Sequence, residues 1–161
     1  MVTELPVRIE FSLPDGWQAA PPDEVGAPGI AFVALHPDPG GANGFVANLT
    51  IAGELREPAV PMATIADESV RRLESVAESV LVRDRAEFDS GAAPGMTQVV
   101  ELAMADGKRL LQTQVHLPMV NSLGQRAVLE LVLTCTPEQL ADVRGGFEEF
   151  VGTVRPAKAG A

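Results

Sequence analysis

The chain has 161 residues, 46% hydrophobic and 21% charged, the size and balance of one globular domain rather than of a disordered segment. Its formal net charge of −10 leaves no basic footprint to neutralise phosphates, which argues against nucleic acid and against anionic lipid surfaces as partners. Aromatic residues are only 4% with no tyrosine, so the core must be aliphatic, and the single cysteine, Cys135, excludes an internal disulfide.

Residues 2–13 alternate as a strand, with Val7, Ile9 and Phe11 on one face and Arg8, Glu10 and Ser12 on the other. Pro14-Asp15-Gly16 makes a turn into the only tryptophan, Trp17. Residues 19–29, rich in Pro, Gly and Ala, read as loop. A second strand is expected over 30–36, a flexible connection over 37–44, and a third strand over 45–51. After a connector over 53–60, a helix is expected over 62–79. Met62, Ile65, Ala66, Val70, Leu73, Val76, Ala77 and Val80 recur along it at three- and four-residue spacing.

Four strands follow, over 80–88, 96–105, 108–117 and 126–135. Asp106-Gly107 is the strongest hairpin signal in the chain. Taken as a two-residue loop, it pairs Leu102 with Leu111, Val100 with Thr113 and Gln98 with Val115 on a mainly apolar face. The polar face then pairs Glu101 with Gln112, Val99 with Gln114 and Thr97 with His116. The last helix opens on a capping box, Thr136 with Gln139 three residues on and Pro137 at the first helical position. Leu140, Val143, Phe147, Phe150 and Val154 form its apolar stripe. Gly145-Gly146 inside it implies a close contact or a kink, because each glycine costs about 1 kcal/mol against alanine. Residues 156–161 are expected to be a flexible tail on a single domain over 1–155. The fold class expected is α+β: an antiparallel six- to seven-stranded sheet flanked by two main helices.

This order, together with Phe11-Ser12-Leu13-Pro14-Asp15-Gly16-Trp17, resembles the Mog/PsbP-like superfamily, and within it the actinobacterial LpqN-like and DcrB-like proteins. Those families commonly open on an F-x-x-P-x-G-W pattern. The resemblance implies a sheet packed between helices, no enzymatic activity and a role in binding other proteins. LpqN-like members are usually lipoproteins, whereas this sequence has no lipobox cysteine.

The residues themselves suggest no catalytic centre, metal site or cofactor. The two histidines, His36 and His116, lack metal-ligand spacing. Cys135 ends an apolar strand and has no basic neighbour to activate it, so it reads as a small buried hydrophobe. Gly40-Gly41-Ala42-Asn43-Gly44 precedes a strand instead of a helix and has no lysine, unlike a phosphate cradle. The candidate binding face is the polar side of the hairpin: Glu101, Gln112, Gln114 and His116, with Glu130 opposite Gln114 if residues 117 and 127 pair, and Arg83 near Glu101. Met62, Met96, Met104 and Met119 suggest an adaptable apolar pocket between sheet and helix. The first reading is a non-enzymatic protein-binding module, partnered by another protein or by a second copy of itself. The alternative is a carrier of a small apolar ligand such as a lipid or acyl chain. With no run near the roughly 20 apolar residues of a membrane span, and an N-terminus unlike a signal peptide, the expected compartment is the cytoplasm.

Overall fold

The computed structural model describes residues 5–21, 30–36, 45–89 and 94–157. Among these, β1 (Ile9–Glu10), β2 (Gln18–Ala20), β3 (Phe32–His36) and β4 (Ala47–Leu55) precede α1 (Met62–Glu74). Then come β5 (Ser79–Asp89), β6 (Pro94–Ala103), β7 (Arg109–Val120), β8 (Arg126–Cys135), α2 (Leu140–Thr153) and β9 (Arg155–Pro156). Seven strands form one antiparallel sheet in the order β2-β3-β4-β8-β7-β6-β5, and β1 pairs with β9 in a small second sheet.

The helices lie on opposite faces because the central strand β8 is apolar on both. Leu129, Leu131, Leu133 and Cys135 face α2 and pack with Leu49, Ile51, Val143, Phe147 and Phe150. The alternate residue Val128 faces α1 and packs with Met62, Ile65, Ala66 and Met96. Phe147 and Phe150 are fully buried, each worth about 1.5–3 kcal/mol of transfer free energy.

The N-terminal motif straps α2 to the sheet. Gly16 takes a positive φ of 92° in the turn. Trp17 then packs on His36, and Phe11 packs edge-on to Phe32 and to Phe150. A side chain at Gly146 would meet the Trp17 indole nitrogen at 3.0 Å, whereas among the described residues nothing stands within 4 Å of one at Gly145. A close approach therefore explains one glycine of the pair, and its partner is the N-terminal turn. The reciprocal Thr136–Gln139 bonds form, the Gln139 side chain accepting from the Thr136 amide at 2.9 Å and the Gln139 amide donating to the Thr136 hydroxyl at 3.3 Å. They close a turn ahead of the helix: α2 starts at Leu140 with Gln139 at its N-cap, so Thr136 is not the cap and Pro137 is not its first residue.

Several expected boundaries shift. The first strand shrinks to Ile9–Glu10, and a short strand, Gln18–Ala20, begins where a loop was expected. Helix α1 ends at Glu74, because the Glu78 amide already donates to the Ala103 carbonyl in the sheet; Val76, counted on the helical stripe, is 67% exposed. Pro156 and Ala157, expected in the flexible tail, are held in place: Arg155–Pro156 pairs with β1, and the Ala157 amide donates to the Arg8 carbonyl. The glycine-rich stretch 40–44 and the tail 158–161 lie outside the described residues.

The largest correction is in register. The β6–β7 turn holds three residues, 105–107: the Gly107 amide donates to the Met104 carbonyl, and Met104 and Lys108 close the loop. Gly107 has φ +89°, the left-handed position of a type I turn with a bulge. The pairing therefore moves by one residue, to Leu102 with Leu110, Val100 with Gln112, Gln98 with Gln114 and Met96 with His116.

Candidate functional site

A slip of one residue exchanges the faces of a strand. Glu101 now pairs with Leu111 and lies on the opposite face from Gln112, Gln114 and His116. There it binds Arg83 at 2.8 Å, with Arg109 at 3.7 Å. Arg83 sits at a β-bulge in the edge strand β5, between Val82 and Asp84. The next turn also holds three residues, 122–124, so Glu130 pairs with His116, and Val132 takes the place opposite Gln114. The six residues expected on one face thus divide into two groups. Arg83 and Glu101 form a surface ion pair, while Gln112, Gln114, His116 and Glu130 share the face under α1.

That face is largely buried. Gln98 and Gln114 are each 1% exposed and His116 is 0% exposed. Burial without partners would cost a primary amide several kcal/mol, so the glutamines form a relay across four strands. Asp67 of α1 holds Arg85 at 2.8 Å. Arg85 donates twice to the Gln98 carbonyl, at 3.0 and 2.8 Å. Gln98 donates to Gln114 at 2.7 Å and to the Ala66 main-chain carbonyl at 3.1 Å, which docks the helix. Gln114 donates to Gln112 at 2.9 Å, and Gln112 donates to the Thr134 hydroxyl at 3.2 Å. Each amide accepts from one side and donates to the other. Gln98 was missed in the sequence because the two-residue turn placed it on the apolar face.

His116 stands outside this relay. Both its ring nitrogens are buried without a hydrogen-bond partner among the described residues. Burial, with help from the positive charges of Arg72 and Arg85, lowers its pKa to about 4, so the ring is neutral at physiological pH. Beside it, burial pushes the Glu130 carboxyl up, with Arg72 pulling against it. Arg72 donates to Glu130 at 3.0 Å and to the Ser69 hydroxyl at 2.9 Å. These groups border a cleft of about 350 Å³ along α1, with walls that include Ile65, Val128 and Val132.

A second cleft, of about 510 Å³, opens at the start of α1 and is lined by Val60, Met62, Pro94, Pro118, Met119 and Val120 among others. The Arg126 guanidinium holds its rim by donating to the carbonyls of Glu57 and Val60. The four methionines do not share one pocket. Met62 and Met96 pack together, Met104 joins the cluster of Val100, Leu102 and Leu110, and Met119 belongs to the core on the α2 side.

Burial pushes the Cys135 thiol up to about 11. Among the described residues no group of three or more His, Cys, Asp or Glu side chains is placed to hold a metal, and no helix is long and apolar enough to cross a membrane.

No protein-family model and no curated protein sequence matches the chain. Solved structures do. LpqN, involved in cell envelope biogenesis of Mycobacterium tuberculosis, superposes with a TM-score of 0.70 at 13% identity, over 94% of this chain and 86% of LpqN. PA94, a protein of unknown function from Pseudomonas aeruginosa, gives 0.60 at 16% identity, over 94% of this chain and 99% of PA94. The cyanobacterial PsbP of Synechocystis gives 0.61 at 12% identity, over 92% of this chain and 86% of that protein. Two helices on a large antiparallel sheet, superposing on all three, give this chain the PsbP-like fold.

Proposed function

We propose that this chain is a non-enzymatic accessory protein that binds an apolar segment of another protein. The observation that carries this reading is the cleft at the start of α1. Its apolar lining combines rigid prolines with two methionines, side chains that adapt to varied apolar partners. Val120, on its rim, is 58% exposed. The envelope role of LpqN fits an accessory protein, as does the absence of convergent reactive groups among the described residues. The cytoplasm is the proposed compartment; recovery of the chain with the envelope fraction of its host would refute that part.

The test is a photo-crosslinking residue placed at Val120, with a control at Glu148 on the exposed side of α2. The expected result is a defined partner peptide of apolar sequence linked at Val120 and not at Glu148, and lost in Val120→Glu. Identical products from both positions would overturn the reading. The cleft volume also suits an acyl chain, and copurified lipid seen by native mass spectrometry would favour a carrier instead.

A further inference from the structure

Strand β5 ends the seven-stranded sheet, and among the described residues no strand pairs with its outer side. Edge strands are commonly guarded by proline, by lysine or by a bulge that bends the strand away. β5 contains no proline and no lysine. Its bulge falls between Val82 and Asp84, which leaves 84–89 in regular pairing with β6.

The hairpin decides which main-chain groups of β5 point outwards. Successive residues of a strand direct their N–H and C=O groups to opposite sides. The Met104 amide donates to the Lys108 carbonyl, so Leu102, Val100, Gln98 and Met96 direct theirs towards β7. Val99 and Thr97 therefore bond to β5, at Asp84 and Ala86. Arg85 and Glu87 alternate with these and direct their N–H and C=O groups away from the sheet.

These groups restrict how a second copy can add. A two-fold antiparallel pairing must set outward-directed residues opposite one another. Along 84–89, centring it on Arg85 faces Arg85 with itself, and centring it on Glu87 faces Glu87 with itself. Centring it on Phe88 faces Glu87 with Asp89. Like charges directly opposite are destabilising. Centring it on Ala86 instead opposes Arg85 to Glu87 on both sides of the axis, and Asp84 falls opposite Phe88. Arg85 is fixed by Asp67 and Gln98 and remains 28% exposed, so its charge is in place before a partner arrives.

We propose that two copies of this chain pair edge to edge through β5, antiparallel and centred on Ala86. The two Arg85–Glu87 pairs exchange main-chain hydrogen bonds in both directions, and the two sheets become one. So short an edge is smaller than the roughly 20–30 residues a side of a standard interface. The dimer is therefore reversible, with a Kd of about 10–100 μM.

The test is Ala86→Cys. The two Ala86 residues form a non-hydrogen-bonded pair, with Cα atoms about 4.5 Å apart, within reach of a disulfide. Cys135 is buried and does not compete. Asp84→Cys, exposed on the same face of β5 but opposite Phe88, is the control. In a glutathione redox buffer at about 200 μM protein, the disulfide dimer should form at least about tenfold faster at position 86 than at 84. Adding Glu87→Lys, which sets a positive charge opposite Arg85, should slow it at least about tenfold. Sedimentation equilibrium of the natural chain should show a dimer that Glu87→Lys dissociates. A natural chain that stays monomeric at that concentration, equal crosslinking at the two positions, or crosslinking indifferent to Glu87→Lys would each overturn the proposal.

Discussion

Replacing His116 with methionine should flatten the acid limb of the stability curve. His116 is fully buried and its pKa in the folded chain is lowered to about 4, against the ordinary 6.5. Above pH 6.5 the ring is neutral in both folded and unfolded chains and contributes no pH dependence. Between 6.5 and 4 the unfolded chain takes up a proton that the folded chain refuses, so stability falls as pH falls. The gap, at about 1.4 kcal/mol per pH unit, amounts to about 3 kcal/mol once the pH is below 4. That is a large fraction of the roughly 5–15 kcal/mol of a typical domain. Four charged groups lie around the ring or across the cleft it borders: Arg72 from α1, Arg85 from β5, Glu130 from β8 and Glu54 from β4. The raised pKa of Glu130 acts in the opposite sense, because its folded form holds a proton the unfolded form releases, and it is present in both proteins. Urea unfolding followed by the fluorescence of the buried Trp17, at several pH values from neutral to about 4, checks the difference. His116→Met should match or exceed the natural chain at neutral pH, since it removes two unpaired buried nitrogens. Its advantage should grow by about 3 kcal/mol towards pH 4. Parallel curves for the two proteins would refute the reasoning.

Other outcomes follow from the packing. Gly145→Ala should raise stability by about 1 kcal/mol through helix propensity, because among the described residues nothing lies within 4 Å of the new methyl. Gly146→Ala should lose that gain and shift the Trp17 emission, because its methyl meets the indole nitrogen at 3.0 Å; equal stabilities in denaturant titration would contradict this. Gln98→Leu should destabilise by about 1–3 kcal/mol, since it strips partners from Arg85, Gln114 and the Ala66 carbonyl at once. A loss within experimental error would show that the relay contributes nothing net. Cys135, buried with its thiol pushed up to about 11, should react with a thiol reagent only as the chain unfolds. Rapid labelling in native buffer would disprove its burial.

Much of the scaffold was legible in the sequence because its signals are local. The apolar run over 126–135 marked β8, and the Thr136–Gln139 spacing announced reciprocal bonds that form. The F-x-x-P-x-G-W segment pointed to the fold that LpqN and the cyanobacterial PsbP share. The candidate site was less legible. His116, Gln112, Gln114 and Glu130 were correctly grouped, since alternate residues of one strand share a face whatever the register, and the cross-strand grouping with β8 survives a two-residue shift. Glu101 was misplaced and Gln98 missed because turn length, which sets whether the pairing is odd or even, was read from Asp106-Gly107 alone.

The sequence by itself therefore determined the kind and order of the main elements, the Thr136–Gln139 turn that precedes α2 and the apolar identity of the core. These depend on interactions within a few residues of chain. Only the tertiary structure decided that the hairpin loop has three residues, so that Gln98 meets Gln114 and Glu101 faces away. It also decided that α1 covers the polar side of the hairpin and leaves His116 without partners among the described residues, beside a cleft. Those outcomes depend on which distant surfaces exclude water together. A one-residue change of register, nearly invisible in local propensity, reverses the facing of every side chain it touches.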